Sequence, residues 1–127
     1  MKNKITNEEK SITLTPTIFH ILVVLSGGEC HGYAILREVK EITEGKSSLG
    51  PTTLYRSIRT MLDGKLIEES DERPDPASND ERRRYYRLTA LGIKVLSDEV
   101  ARLESLVEIA RQKNVLIGHR RVAVWEK

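Results

Sequence analysis

The stretch GPTTLYRSIRTMLD, residues 50–63, decides how the rest of the chain is read. Gly50 suits the N-cap of a helix. Pro51 suits its first position, where a fixed φ is tolerated and the missing N–H would have had no intrahelical partner. Leu54, Ile58, Met61 and Leu62 recur at i, i+4, i+7 and i+8, so one side of a 3.6-residue helix is apolar. At about 100° per residue, Thr52, Arg56 and Arg59 gather on the opposite side, flanked by Tyr55 and Thr60. That side carries no carboxylate until Asp63. Guanidinium groups make bidentate contacts with guanine edges, and hydroxyls suit phosphates or bases. The stretch therefore reads as a DNA recognition helix, with a merely solvated helix face as the alternative.

A second helix is expected just before it, from about Gly32 to Thr43, with Gly45 closing it. Its apolar ridge is expected along Tyr33, Leu36 and Val39, with Ile35 and Ile42 beside it, and its wet side carries Arg37, Glu38, Lys40 and Glu41. The link GKSSLG joins the two as a helix-turn-helix, and Leu49 is placed to anchor that link in the core. Further upstream, Thr15-Pro16 repeats the capping signal ahead of TIFHILVVLS, which is apolar nearly all round, as a buried helix should be. Gly27-Gly28 is expected to end that helix. Residues 1–13 are polar and charge-mixed and are expected to be a loose N-terminal segment.

After Gly64 the period changes. Leu66–Ser70 and Arg83–Leu88 read as two strands around DERPDPASNDER, a loop composition. Two strands directly after a helix-turn-helix make a wing. Its root carries Arg82, Arg83, Arg84 and Arg87. Four such cations commonly just solvate a hairpin; after a recognition helix, Arg82, Arg83 and Arg84 become candidates for phosphate or minor-groove contact.

Thr89 caps a last helix running to about Lys113. Ile93, Leu96, Val100, Leu103, Val107 and Ala110 follow spacings of 3, 4, 3, 4 and 3, the rhythm of a coiled-coil seam, widened by Leu106 and Ile109. Such a stripe either covers the domain's own core or meets a second copy. Three helices and a hairpin already supply the core, so a homodimer is expected. The tail, residues 114–127, has no assigned role; Val122–Trp125 suits a short strand or a helical turn equally.

The expected fold class is thus mainly α with a small β-hairpin (α+β): a winged helix-turn-helix over residues 14–88, then a dimerisation helix over 89–113. A chain of 127 residues is about one domain's length. Its longest apolar run, Ile18–Leu25, is broken by His20 and is too short to span a bilayer. The N-terminus lacks an apolar h-region, and the single Cys30 cannot form an internal disulfide, so a cytoplasmic protein is expected. Net charge is +2, and basic and acidic residues balance at 6 and 6 over residues 1–49 and at 8 and 8 over 50–89. No domain-wide basic field exists, which disfavours a purely electrostatic DNA binder.

Three segments, LTPTIFHILVVLSGGECHGYAI, GPTTLYRSIRTMLDGKLIEE and RRRYYRLTALG, in that order over about residues 14–96, resemble the PadR family of bacterial transcriptional regulators. The matching positions are His31-Gly32-Tyr33, Pro51-Thr52-Thr53-Leu54-Tyr55, and Tyr85-Tyr86-Arg87-Leu88-Thr89 with Gly92. The resemblance implies a winged helix-turn-helix, a homodimer built through the C-terminal helix, and repression of nearby genes from a pseudo-palindromic promoter site in double-stranded DNA. It adds Thr53 to the DNA-contact candidates Thr52, Tyr55, Arg56 and Arg59. The single short C-terminal helix resembles the smaller branch of the family. Two features depart from the pattern. The wing loop carries Asp71, Glu72, Asp75, Asp80 and Glu81, which repel phosphates. The last helix holds no Phe, Tyr or Trp, which argues against an aromatic-stacking effector site of the kind some members have; a small-molecule effector stays unidentified.

No catalytic constellation is legible. His20, His31 and His119 are scattered, Cys30-His31 lack further ligands at metal-like spacing, and no phosphate-binding glycine loop or nucleophile elbow occurs. Neither an enzyme, a metal nor a cofactor is expected. Cys30 reads as a small buried residue, and His31 as a helix cap or a phosphate contact. The rival function is a winged-helix protein-docking module, which would need exposed apolar anchors where this chain has Arg56 and Arg59.

Overall fold

Thr15 opens the first helix: its side-chain oxygen accepts from the Ile18 N–H at 3.1 Å, and Pro16 takes the first position. The structure, a computed structural model, describes residues 14–47, 49–70 and 84–114. Helix α1 (Pro16–Leu25) buries Ile18, Ile21, Leu22, Val24 and Leu25, with Phe19 and Val23 packed half-buried against the same core. An all-round apolar helix has no wet face to spare, and α1 accordingly forms the centre of the cluster.

Between α1 and the next helix lies a strand that no periodicity announces. β1 (Cys30–His31) is two residues long and pairs antiparallel with a later strand, Tyr85–Leu88, Cys30 opposite Tyr86 and His31 opposite Tyr85. His31 then caps α2 (Gly32–Ile42): its Nδ1 accepts from the Ala34 N–H at 3.1 Å. The capping role expected of His31 is thus observed. The apolar ridge of α2 differs from expectation. Gly32, Ala34, Ile35 and Val39 are buried, whereas Tyr33 is 59% exposed and Ile42 48% exposed. The stripe runs through 32, 35 and 39, and Tyr33, about 100° away from Gly32, turns outward beneath the Arg37 guanidinium, 5.7 Å from its ring centre.

The end of α2 is a two-bond cap, Gly45 N–H to Lys40 O at 2.8 Å and Glu44 N–H to Glu41 O at 3.1 Å, with Glu44 at φ 56° and Gly45 at φ 77°. Leu49 packs against the core, as expected for the link. Helix α3 (Pro51–Asp63) buries Leu54, Ile58 and Met61. It ends in the same way, with Leu66 N–H to Met61 O at 2.9 Å and Lys65 in the left-handed region at φ 65°. β2 (Ile67–Ser70) and β3 (Tyr85–Leu88) are antiparallel, and the sheet order is β1-β3-β2. The expected hairpin is therefore two-thirds of a three-stranded sheet. Helix α4 (Ala90–Gln112) follows, with Thr89 Oγ1 accepting from the Gly92 N–H at 3.0 Å.

The chain divides into two compact units, residues 1–96 and 97–127. The division between the units falls inside α4, whose first turns are tied to the winged unit. Thr89 N–H donates to Leu66 O at 3.0 Å, its hydroxyl lies 2.5 Å from Lys65 O, and Gly92 and Leu96 are buried. The second unit, over its described part, is the remainder of α4. No helix among the described residues is long and apolar enough to cross a membrane.

Candidate nucleic-acid interface

Burying Leu54, Ile58 and Met61 turns the opposite side of α3 to solvent. Thr52, Thr53, Arg56, Arg59 and Thr60 are exposed, and Tyr55 is half-buried. Among the described residues no carboxylate pairs with Arg56 or Arg59. Tyr55 divides its role: its ring packs against the core, with its hydroxyl edge over Gly32 of α2.

Arg59 does not look straight out from α3. It lines an open groove of about 390 Å³ between α3 and the hairpin, walled by Tyr55, Arg59 and Asp63 on one side and Glu69, Arg84 and Tyr86 on the other. Helix and wing root thus converge on a single channel with one guanidinium on each bank. Arg82 and Arg83, and the acidic wing loop, lie outside the described residues.

The two described arginines of the hairpin root are already engaged. Arg84 Nη1 lies 3.0 Å from Glu69 Oε2. Arg87 Nε donates to Glu68 Oε2 at 2.8 Å, and its Nη1 lies 3.6 Å from Glu29. The Glu68 hydrogen bond, then its charge and that of Glu29, hold the Arg87 guanidinium above its usual range. These carboxylate partners escaped the sequence reading, although Glu68-Glu69 facing Tyr85-Tyr86-Arg87 across a hairpin is a legible cross-strand pattern. Cys30, expected to be buried, is 8% exposed. Burial first, then the Glu38 carboxylate 3.9 Å from its sulfur, pushes the thiol up to about 11. No cluster of three metal-ligating side chains occurs among the described residues.

On α4, Leu96 is 9% exposed and belongs to the core of the winged unit, and Ile93 in the same unit is 55% exposed. Within the second unit Val100, Leu106, Val107 and Ile109 are 37–48% exposed, with Leu103 and Ala110 intermediate. Within the second unit no described residue covers this helix face.

The sequence profile described as the Transcriptional regulator PadR-like family matches residues 21–98, from the middle of α1 through the sheet to the start of α4. The chain belongs to this family. Among solved structures, a PadR family transcription regulator from Clostridium difficile is 28% identical, with a TM-score of 0.57 over 74% of this chain and 95% of that one. A transcriptional regulator from Clostridium thermocellum is 24% identical, with a TM-score of 0.60 over 76% and 87%. Lactococcus lactis ZitR, solved in complex with DNA, is 22% identical, with a TM-score of 0.56 over 80% and 61%. A search of curated protein sequences gave no match. The PadR-like positions quoted from the sequence are spread over the winged unit. His31 caps α2, Gly32 receives the Tyr55 ring, Tyr86 is in the core, and Gly92 packs on Leu66.

Proposed function

We propose that this PadR-like chain is a sequence-specific DNA-binding regulator that acts in the cytoplasm as a homodimeric repressor, reading pseudo-palindromic promoter DNA with α3. The observation that carries the reading is the exposed face of α3. Thr52, Thr53, Arg56 and Arg59 stand there on the second helix of a helix-turn-helix, and neither arginine is neutralised by a carboxylate among the described residues. Solvent-exposed guanidinium groups on a helix that fits the major groove are the chemistry of guanine readout. Arg84 at the hairpin root, with Arg82 and Arg83 before it, is assigned to the phosphates flanking the minor groove. The uncovered apolar face of α4 is assigned to the second subunit, which sets two copies of α3 on successive half-sites. A docking function is disfavoured because α3 offers no large exposed apolar side chain.

The test is a gel shift on the promoter upstream of its own gene, compared with a shuffled duplex and titrated with salt. A preference for the promoter with a steep salt slope supports the reading. A slope near zero, or equal binding to both duplexes, favours protein docking.

A further inference from the structure

The arginines of α3 and those of the hairpin root are in opposite electrostatic states. Arg56 and Arg59 on α3 have no carboxylate partner among the described residues, whereas Arg84 is held by Glu69 at 3.0 Å and Arg87 by Glu68 at 2.8 Å. Strand register produces this arrangement: Glu68 sits opposite Arg87, and Glu69, opposite Tyr86, reaches diagonally to Arg84. Both members of the Glu69–Arg84 pair are well exposed, at 37% and 43% of their side chains. A pair that wet contributes little to folding, so its partners exchange easily. Glu69 and Arg84 also line the same groove as Arg59.

We propose that Glu69 is a specificity-determining residue that acts through Arg84. It neutralises the hairpin root toward random DNA and yields Arg84 to a backbone phosphate only when α3 is seated in a matching site. This rests on the DNA-binding reading above. Binding to random duplex is driven by cations that release condensed counterions. An arginine already carrying a carboxylate brings no uncompensated charge and releases fewer ions. A seated α3 changes the competition, because it holds one phosphodiester in the groove between Arg59 and Arg84 long enough to replace the carboxylate. Specificity rises because the wrong complex is denied a contact that the right one receives.

The experiment is a four-protein cycle: wild type, Glu69→Gln, Arg84→Gln and the double variant. Each is titrated by fluorescence anisotropy on promoter duplex and on a shuffled duplex at several salt concentrations. Glu69→Gln should tighten binding to shuffled DNA about fivefold per subunit near 0.15 M salt and steepen the log–log salt slope by about 0.9 per subunit, the worth of one phosphate. Its gain on the promoter should be smaller. Arg84→Gln should weaken promoter binding strongly and shuffled binding only slightly, since it removes the phosphate contact and leaves the Glu69 carboxylate unpaired, and the double variant should bind shuffled DNA as wild type does. Thermal melts of the four proteins should coincide. Unchanged shuffled binding by Glu69→Gln overturns the proposal. So does an equal gain in the Arg84→Gln background, which would make Glu69 a simple repulsive charge. A wild type that binds neither duplex defeats the DNA reading itself, and that is seen without any variant.

Discussion

A Cβ on Gly32 would lie 2.6 Å from the Tyr55 hydroxyl oxygen and 3.0–3.1 Å from the nearest ring carbons. The start of α2 and the second turn of α3 are thereby locked together: the absent side chain of one is the seat of the other. This contact sets how α3 presents Thr52, Arg56 and Arg59 relative to α2. Gly32→Ala should displace the Tyr55 ring and cost about 1–3 kcal/mol of stability, the usual range for overpacking. Urea unfolding measures the loss. Removing the hydroxyl as well, in Gly32→Ala/Tyr55→Phe, should recover part of it, since the closest atom is gone.

Gly92 is the more demanding glycine. A Cβ there would stand 2.0 Å from the Leu66 carbonyl oxygen. That oxygen is backbone, and it also accepts from the Thr89 N–H at 3.0 Å, so it cannot swing aside as a side chain does. Gly92→Ala should cost about 3 kcal/mol or more, well above Gly32→Ala, in the same denaturation experiment. A Gly92→Ala protein as stable as wild type would show that α4 does not pack on the Leu66 backbone this closely.

Cys30 provides a pH test. Its folded thiol is raised to about 11 from 9.0 by burial and by Glu38, so the fold favours the protonated form. The stabilisation tied to that proton is fully present below pH 9, and it is lost as pH rises through 11. A two-unit rise leaves roughly one hundredth of the thiolate of an unperturbed thiol. Iodoacetamide labelling at pH 8 should be slower than that of free cysteine by at least that factor, and addition of urea should restore the rate.

The exposed apolar face of α4 should be covered by a second subunit. Leu103→Glu places a carboxylate in the seam, beside Val100, Leu106 and Val107, and should give monomers at micromolar concentration by sedimentation velocity. The wild type should sediment as a dimer. A wild-type monomer would remove the basis for two half-sites.

Arg59 and Arg83 should fail in different ways. Arg59→Ala should cost about 1–3 kcal/mol on the promoter site and less on shuffled duplex, because a base contact carries sequence information. Arg83→Ala should weaken both duplexes by similar factors and flatten the salt slope by about one per subunit. Equal losses for Arg59→Ala on both duplexes would make it a phosphate contact, which its place on the groove wall also permits, and would move base readout to Thr52 or Arg56.

Local signals determined the helices of this protein. Capping at Thr15 and the Pro51 start rest on chemistry within four residues, and the buried set Leu54, Ile58 and Met61 follows from the helical period alone, so they are visible before any fold exists. The exposed arginines of α3 follow from the same period. Tertiary structure decided the rest. A two-residue strand such as Cys30–His31 has no periodicity and becomes a strand only when Tyr85-Tyr86 lies beside it. Spacing puts Tyr33 on the apolar ridge of α2, but the buried stripe runs through Gly32, which receives the Tyr55 ring of α3, a contact that neither segment shows by itself. Leu96 fits a heptad seam by spacing, yet the closure of Gly92 on Leu66 draws that turn of α4 into the winged core. The charge of the hairpin root is decided in the same way. Sequence counts Arg84 and Arg87 as free cations, and only strand register, pairing residues 15 to 19 positions apart, brings Glu69 and Glu68 within hydrogen-bonding distance of them.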